Sequence, residues 1–401
     1  MSAPSRARAA RHRLAAVGVP AALVLALLSS PTPAGAADVC PQPGLTVVKS
    51  PQSTRTTSLA AGVSVRQYWG KPQGKDQMQA TVVTADLRRV RPTAVTPAYA
   101  GQVAATGRLA GTAGVLAAVN GDYFVMNTTH KALPSGVLVS GSVRFAPADP
   151  GQYVGVDDTG AVRTGRAQLS GAVRVLERPG GRVLSTIPVT AVNAKPVLDG
   201  VAVYTAALDP ANSRRGDWQV LVRRGAVAAS GSSLSVDLTT LPAADGAVVL
   251  VGRGRAVTAL KALKAGTAVT WSASVVDAAG GRRIVSAIGA GPKVLAGGEV
   301  SGPCTRSYRS RTMVAWSGDG TRMWLVTLNS NQPSHWTPAA GATYRQLGML
   351  ARDLGASTAV LLDGGGSTTL VARTGGRMAR LDADPSRTQR SVADAWGLLP
   401  R

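Results

Sequence analysis

Short runs of apolar residues recur along most of the chain, and their spacing predicts a strand-rich fold. Apolar and polar residues alternate over residues 79–87, which predicts a half-buried strand. A wholly apolar run at 115–119 ends at an Asn-Gly pair and predicts a buried strand. Further short runs, separated by glycine-containing turns, lie at residues 137–139, 173–175, 201–204, 218–222, 248–251 and 269–274. These runs predict a series of short strands joined by tight turns.

The pattern changes in the C-terminal third, where a hairpin and a helix are predicted. Apolar runs at 312–316 and 323–328 flank a Gly-Asp-Gly turn, as in a β-hairpin. Thr343 stands three residues before Gln346, which is the spacing of a capping box at a helix N-terminus. Apolar residues at helical spacing follow, so we predict a helix over residues 344–354.

A glycine-rich turn separates the last two predicted strands. Residues 358–362 form an apolar run that predicts a buried strand, and residues 368–372 predict the next one. Residues 38–75 are polar and are predicted to be irregular. Together these elements predict an α+β fold, a single strand-rich mixed α/β domain with a short irregular N-terminal region.

The composition indicates a folded domain. Of the 401 residues, 45% are hydrophobic and 16% are charged, which argues against a disordered chain and against a membrane protein. The 46 glycines and 24 prolines suit many tight turns. We divide the chain into residues 1–36, residues 37–110 and a main domain over 111–401. The second segment is expected to pack on the third.

The N-terminus has the organisation of a secretory signal peptide. Arginines between Arg6 and Arg13 precede an apolar stretch at 14–28, and Ala34-Gly35-Ala36 offers a small-x-small cleavage site. The alternative is a membrane anchor, but the stretch is shorter than the about 20 residues that a spanning helix needs. We therefore predict cleavage after residue 36 and secretion of a protein without a stable membrane span.

The chain has two cysteines, Cys40 and Cys304. An exported chain meets an oxidising environment, where an even number of cysteines suggests a disulfide. The alternative is a pair of separate buried thiols. The sequence has no CxxC pair, so a cysteine-based zinc site is not predicted.

The formal net charge of +23 favours polyanionic partners. Aromatic residues make up 4% of the chain and no nucleic-acid-binding motif is present, so nucleic acid is not an expected partner. A phosphorylated glycan or an anionic wall polymer suits an exported protein better. A GC-rich genome would also produce an arginine-rich composition.

The strongest chemical signal is Asp363, which ends a predicted strand and precedes a glycine triplet at 364–366. Successive glycines permit a positive φ or the close approach of a ligand to the main chain. Ser367 and Thr368 follow, so a carboxylate, backbone N–H groups and hydroxyls could surround one oxyanion. A plain glycine-rich hairpin turn would show the same pattern.

Three further clusters carry less weight by themselves. Asn120-Gly121-Asp122 follows a predicted buried strand, although Asn-Gly is common in turns. A glycine-proline segment lies at 288–292, and Arg311 follows some twenty residues later. Arg390 lies near the C-terminus. An isolated arginine is normally a solvated surface residue, so these positions gain meaning only together.

The order of seven segments along the chain resembles the phosphodiester glycosidase family. These segments are AVNGDYF, PSGVLVSG, VNAKPVLDG, IGAGPKVLAGGEV, RTMVAWSGDG, LDGGGSTTL and RTQRSVADA. The resemblance spans residues 115–399. It implies hydrolysis of the bond between the anomeric carbon of a sugar and a phosphodiester, in a phosphorylated glycan or a wall polymer.

The resemblance and the chemistry of this reaction suggest roles for individual residues. Cleavage of the anomeric C–O bond develops oxocarbenium character, and a phosphate leaving group needs positive charge more than it needs a proton. We expect Asp363 to act as base for water or as nucleophile, with Asn120 and Asp122 as further catalytic candidates. The candidate substrate-binding residues are Arg311, Arg390, Gly364, Gly365, Gly366, Ser367, Thr368 and Asn193.

The chain departs from the family pattern at three positions. Family members often have glycine where Asp122 stands, which lowers the expectation that it is an essential acid. They often have asparagine where Asp394 stands. The arginine usual after the Val-Asn pair is replaced by Ala194-Lys195, which bears on the role of Asn193.

The sequence demands no cofactor. A catalytic histidine is not expected, because His12 lies in the signal peptide and His130 and His335 lie outside the matching segments. Aspartate, asparagine and carbonyl oxygens would suit Ca²⁺, although no ligand spacing requires it. Two non-hydrolytic alternatives are a binding protein for anionic cell-wall polysaccharide and an accessory protein of exopolysaccharide synthesis.

Overall fold

Strands dominate the structure, a computed structural model that describes residues 56–70, 78–126, 131–212, 214, 216–304, 307–330, 341–382 and 388–401. The strands of the N-terminal half are β1 (Thr57–Ala60), β2 (Val63–Gly70), β3 (Met78–Asp86), β4 (Val90–Val95), β5 (Ala104–Ala105), β6 (Ala117–Asn120), β7 (Phe124–Met126), β8 (Lys131–Pro134), β9 (Leu138–Ser140), β10 (Ser142–Phe145), β11 (Gln152–Asp157), β12 (Val162–Leu176), β13 (Val183–Val192) and β14 (Val201–Thr205). The later strands are β15 (Trp218–Arg223), β16 (Ala226–Gly231), β17 (Val248–Gly252), β18 (Ala268–Asp277), β19 (Arg283–Gly289), β20 (Lys293–Ala296), β21 (Glu299–Val300), β22 (Arg311–Trp316), β23 (Arg322–Ser330), β24 (Thr358–Leu361), β25 (Leu370–Thr374), β26 (Arg377–Arg380), β27 (Ser391–Val392) and β28 (Ala395–Pro400). The helices are α1 (Thr106–Ala113), α2 (Ala256–Lys261) and α3 (Tyr344–Asp353).

The fold is mainly β, so the predicted α+β class is confirmed only in part. In the described residues the helices are short and few, because the short apolar runs pair with one another as strands. The strand-rich part of the prediction is confirmed. The helical part holds chiefly for α3, where apolar residues recur at helical spacing.

The prediction of an irregular segment over residues 38–75 is wrong for its second half, where β1 and β2 form. β2 pairs with β3 over its whole length, from Val63 opposite Ala85 to Gly70 opposite Met78. This pairing with the next strand along the chain satisfies backbone hydrogen bonds of β2, in which Val63 and Val65 alternate with polar residues.

The strands form three larger sheets. One has eight strands in the order β1-β2-β3-β23-β22-β24-β20-β21, and one has five in the order β26-β25-β6-β28-β4. The third has eleven strands in the order β10-β9-β19-β11-β12-β13-β14-β17-β15-β16-β18, and β18 pairs again with β12 and β19. The pairs β5–β27 and β7–β8 are separate. The candidate site lies where the five-stranded and eight-stranded sheets meet.

The predicted hairpin and helix of the C-terminal third are confirmed. β22 and β23 pair in antiparallel register across the Gly-Asp-Gly turn. At the start of α3 the Thr343 side chain accepts a hydrogen bond from the Gln346 N–H, and the Gln346 side chain accepts one from the Thr343 N–H. Gly355 follows the helix with a φ of +90°. Leu347 and Leu350 pack α3 against the eight-stranded sheet.

The predicted signal peptide at 1–36 and Cys40 lie outside the described residues. The signal peptide and the Cys40–Cys304 bridge therefore stay predictions. None of the helices in the described part of the chain has the length and apolar character that crossing a bilayer would require.

Candidate active site

The ends of four strands bring the predicted site residues together. Asn120 ends β6, and Asp394 directly precedes its antiparallel neighbour β28. Arg311 begins β22, and Asp363 follows the end of the antiparallel neighbour β24. Because antiparallel neighbours run in opposite directions, the end of one strand lies beside the start of the next. Each sheet thus contributes one pair of strand ends to the site.

Asn120 joins the two sheets through its side chain. Its Nδ2 donates to the Asp363 carbonyl at 2.7 Å. Its Oδ1 accepts from the Thr312 hydroxyl at 2.7 Å and from the Thr369 N–H at 3.1 Å. The residue is fully buried. The side chain therefore fixes the position of the Asp363 main chain and is not exposed to a ligand.

Asp363 is half-buried at the head of the glycine loop. Its N–H donates to the Gly121 carbonyl at 3.0 Å, and its Oδ1 accepts from the Gly364 N–H at 2.9 Å. Burial raises the pKa of the Asp363 carboxyl, while the Ser367 hydroxyl, the Gly364 N–H and Arg390 offset part of the rise. The carboxylate is therefore a stronger base than an exposed aspartate.

Two of the three glycines after Asp363, Gly364 and Gly365, are required by their surroundings or backbone conformation. A Cβ on Gly364 would lie 2.8 Å from the Ser310 carbonyl oxygen. Gly365 has a φ of +57°, in the left-handed region. A Cβ on Gly366 would lie 2.8 Å from Nη2 of Arg390. The triplet lets the loop pass close to two neighbouring segments.

The backbone N–H groups of this loop are mostly used within the chain. The Gly364 N–H bonds to Asp363, and the Gly365 N–H donates to the Ser310 carbonyl at 2.8 Å. The N–H groups of Ser367 and Thr368 close a short 3₁₀ turn. The expected cradle of N–H groups for an oxyanion is therefore not formed by these four groups, and the arginines are left as the main source of positive charge.

Arg311 is buried beside the loop. Its guanidinium stacks on the Tyr344 ring, with 4.4 Å from Cζ to the ring centroid. Its Nε donates to the Ala342 carbonyl at 3.1 Å and its Nη2 to the Ser307 carbonyl at 3.0 Å. Burial lowers the pKa of Arg311. These contacts hold the start of α3 against the site.

Arg390 is the exposed arginine of the pair. Its guanidinium lies against Gly366, and its charge lowers the pKa of Asp363. Arg390 is thus close to the carboxylate and open to solvent, which is the arrangement that an anionic ligand requires.

Asp122 and Asp394 form a buried carboxyl pair close to Asp363. The Asp122 N–H donates to Oδ1 of Asp394 at 2.8 Å, and Oδ2 of Asp122 accepts from the Gly136 N–H at 2.6 Å. Burial raises the pKa of Asp394 to about 7, with a smaller rise from the charge of Asp363. Burial, followed by the charge of Asp394, raises the pKa of Asp122. Both carboxyls therefore favour their neutral form, and Asp394 keeps its proton up to about neutral pH.

This pair predicts an unusual dependence of stability on pH. Because the folded pKa of Asp394 lies above the unfolded value, the folded chain holds a proton that the unfolded chain releases between about pH 4 and pH 7. Stability should therefore fall as pH rises through this window, by up to about 4 kcal/mol. Asp394→Asn removes the titration but keeps an acceptor for the Asp122 N–H. We expect urea unfolding at pH 5, 6, 7 and 8 to show a smaller decline for this variant.

The matched control is Asp319→Asn, on the exposed hairpin turn. The Ser317 hydroxyl and other hydrogen bonds lower the pKa of Asp319 to about 2, so this group does not titrate between pH 5 and 8. In this control the free energy of unfolding should fall with pH as steeply as in the parent. If the free energy of unfolding depends on pH equally in Asp394→Asn and in the parent, Asp394 is ionised in the folded chain from pH 5 to pH 8, which contradicts the prediction.

Asn193 does not contact this cluster through its side-chain hydrogen bonds. Its Nδ2 donates to the Arg144 carbonyl at 2.7 Å and to the Thr205 hydroxyl at 2.9 Å, and its Oδ1 accepts from the Thr205 N–H at 2.7 Å. The residue is buried, and its backbone has a φ of +55°. Its side-chain hydrogen bonds therefore join the end of β13 to Arg144 in β10 and to Thr205 at the end of β14.

Ser367 and Thr368 lie under the loop. Both are buried, at 0% and 2% exposure, so neither hydroxyl lies on the open surface. The Ser367 hydroxyl approaches the Asp363 carboxylate and lowers its pKa. Both residues therefore support the glycine loop from its buried side.

Asp394 and Tyr123 belong to the cluster but were not among the predicted site residues. Asp394 lies in the segment RTQRSVADA, so the motif marks its neighbourhood but not its burial. The Tyr123 hydroxyl packs against Gly291, and burial raises its pKa to about 12. Gly289 packs against Asp122, whose Oδ2 would lie 2.2 Å from a Cβ at that position. The glycine-proline segment is thus a close-packed wall of the site.

Among the described residues, no group of three or more His, Cys, Asp or Glu side chains is placed to hold a metal ion. The Ca²⁺ that the sequence allows has no assembled ligand set in this part of the chain.

The model of the family described as phosphodiester glycosidase matches residues 219–399. The resemblance predicted from the motifs is confirmed over this stretch. The phosphodiester glycosidase match includes Arg311, Asp363, Arg390 and Asp394, whereas Asn120 and Asp122 precede it. The search of curated proteins finds no match.

Solved structures from Synechocystis and Burkholderia pseudomallei share the fold. A hypothetical protein from Synechocystis has 24% identity and a TM-score of 0.66, over 88% of this chain and 64% of that one. This chain thus spans just under two thirds of that protein. A candidate exported protein from Burkholderia pseudomallei has 22% identity and a TM-score of 0.56, over 81% and 74%. A zebrafish N-acetylglucosamine-1-phosphodiester α-N-acetylglucosaminidase catalytic domain, auto-inhibited by its pro-peptide, has 14% identity and a TM-score of 0.43, over 87% of each chain.

Proposed function

We propose that this chain is a hydrolase that cleaves the bond between the anomeric carbon of a sugar and a phosphodiester. The single observation that supports this most is the placement of Asp363. Its half-buried carboxylate, with a raised pKa, lies on a glycine loop next to the exposed cation of Arg390. A base beside an anion-binding group suits a reaction in which water attacks a sugar that carries a phosphate leaving group.

Asp363 acts on water or on the anomeric carbon in this proposal. As general base it would take a proton from the attacking water, and as nucleophile it would form a glycosyl ester that water then hydrolyses. The departing phosphate needs no proton, because it is already a good leaving group. Its growing charge is instead stabilised by the guanidinium of Arg390.

The buried residues around Asp363 act as supports. Asn120 and Gly121 hold the Asp363 main chain through its carbonyl and its N–H. Burial raises the pKa of both Asp122 and Asp394, so their neutral forms are favoured and less negative charge lies near Asp363. We therefore assign Asn120 and Asp122 positioning roles, and we leave Asn193 out of the site.

We also propose that the protein is exported and that its substrate is a phosphorylated glycan or an anionic wall polymer. The support is the signal-like N-terminus and the formal net charge of +23. Intact mass of the exported protein before and after reduction would test both the cleavage after residue 36 and the Cys40–Cys304 bridge.

Product identification tests the proposed activity. The protein is incubated with sugar-1-phosphodiesters of different sugars, and the products are separated and identified. The proposal expects free sugar and a phosphomonoester in equal amounts. Binding without turnover for every substrate would favour the non-catalytic alternative.

Arg390→Ala should lower kcat/KM about tenfold to hundredfold, because a charge-assisted hydrogen bond contributes about 1.5–3 kcal/mol. Arg390 also lowers the pKa of Asp363, so its removal should shift the acidic limb of the pH–rate profile to higher pH. Steady-state kinetics from pH 4 to pH 9 measure both effects. Arg178→Ala, an exposed arginine in the β12–β13 turn, is the control. Parental kinetics in Arg390→Ala would remove Arg390 from the site.

A further inference from the structure

A cleft of about 920 Å³ has Arg390 in its wall. Most of the wall is apolar and includes the side chains of Pro97, Val103, Leu109 and Phe124. Val103 is 42% exposed although it is a large hydrophobic residue. The size and lining of the cleft are those of a small-molecule site.

Arg390 is held in place between this cleft and the Asp363 loop. The residue after it, Ser391, pairs with Ala105 in the β5–β27 ladder. The residue before it, Gln389, accepts a hydrogen bond from the Gly107 N–H at 2.9 Å through its Oε1. Both neighbours thus tie Arg390 to the segment that forms one wall of the cleft, while its guanidinium lies on the glycine loop.

The geometry points to the cleft as the subsite for the group on the far side of the phosphate, the aglycone. A phosphate held by Arg390 would have its sugar toward Asp363 and its other ester group toward the cleft. This inference rests on the proposed function, and it adds that the aglycone is an uncharged apolar group, an alkyl or aryl ester of the phosphate.

The charges of the cleft support this choice. Arg108 and Arg390 provide two cations in the wall, which suits one phosphate group. Asp209 is the acidic residue of the wall, and it would repel a second anionic group on the aglycone. The exposed Val103 and the half-buried Phe124 have no polar atoms to offer to a sugar aglycone. Burial of an apolar chain against them is favourable.

Binding of two simple phosphates to the full chain tests this inference. Octyl phosphate, kept below its micelle-forming concentration, and glycerol 1-phosphate carry the same charged group and differ in the apolar chain. We expect titration calorimetry to show octyl phosphate binding at least about tenfold more tightly, which corresponds to about 1.4 kcal/mol. Val103→Asn, which removes the apolar contact without adding a charge, should remove most of this preference and leave glycerol phosphate affinity within about twofold of the parent.

Val183→Asn is the matched control, because Val183 is a similarly exposed valine on β13, at 46%. It should keep the parental preference. Equal affinity for the two phosphates in the parent, or an unchanged preference in Val103→Asn, would overturn the inference. Because the experiment measures binding and not turnover, its result can be interpreted even if the hydrolase proposal fails. If the unmodified protein hydrolyses sugar-1-phosphodiesters but prefers polar aglycones, the cleft assignment is refuted while the hydrolase proposal stands.

Discussion

Asp363→Asn should lower kcat at least about a hundredfold, since general base catalysis contributes about 10²–10⁴-fold and a nucleophile more. Asparagine keeps the acceptor for the Gly364 N–H but removes the basic oxygen and the charge. Burial raises the pKa of Asp363, so the folded chain disfavours its charged form, and the neutral variant should melt at or slightly above the parental temperature. Loss of activity without loss of stability is the signature expected of a catalytic carboxylate.

Asp353→Asn provides the control for Asp363→Asn. Asp353 is an exposed residue at the end of α3, and its replacement should change neither rate nor melting temperature. An Asp363→Asn variant that folds like the parent and turns over at the parental rate would remove Asp363 from the mechanism. A variant that fails to fold would favour the alternative that the segment is a structural turn.

Asn120→Ala should destabilise the fold by at least about 3 kcal/mol, since each buried polar group left without a partner costs about 1–3 kcal/mol. The substitution leaves three such groups, the Asp363 carbonyl, the Thr312 hydroxyl and the Thr369 N–H. The Asp363 loop should then move, so activity is also lost. Urea unfolding gives the stability and steady-state kinetics give the activity.

The effect on stability separates the two roles that Asn120 could have. A residue that only contacts substrate would lose activity on truncation and keep parental stability. That outcome would contradict the hydrogen-bond network described for Asn120 and would restore it as a catalytic candidate.

Local chemistry in the sequence was enough to predict several elements of the fold. The capping box of Thr343 and Gln346, the left-handed Gly355 and the Gly-Asp-Gly hairpin depend on residues close together in the chain. The two-residue strand β5 depends on β27, and α1 has a weak apolar stripe and no side-chain cap. Such elements form because of distant partners, which a local pattern does not reveal.

The motifs indicated which segments form the site, but not how each side chain is used. Asn120 and Asp363 are brought together, as expected. The pattern could not show that the oxygen and nitrogen of Asn120 are both spent on the main chain and on Thr312. Nor could it show that Asp394 is wholly buried beside Asp122, because this pairing depends on contact between β6 and β28.

The central claim is that the bond broken is the one between the anomeric carbon and the phosphate oxygen. Hydrolysis of a sugar-1-phosphodiester in oxygen-18-labelled water, followed by mass spectrometry of the phosphomonoester, tests it most directly. Because water attacks the sugar in this account, the phosphomonoester should carry no label. A phosphomonoester that contains one labelled oxygen would show attack at phosphorus and would contradict the account.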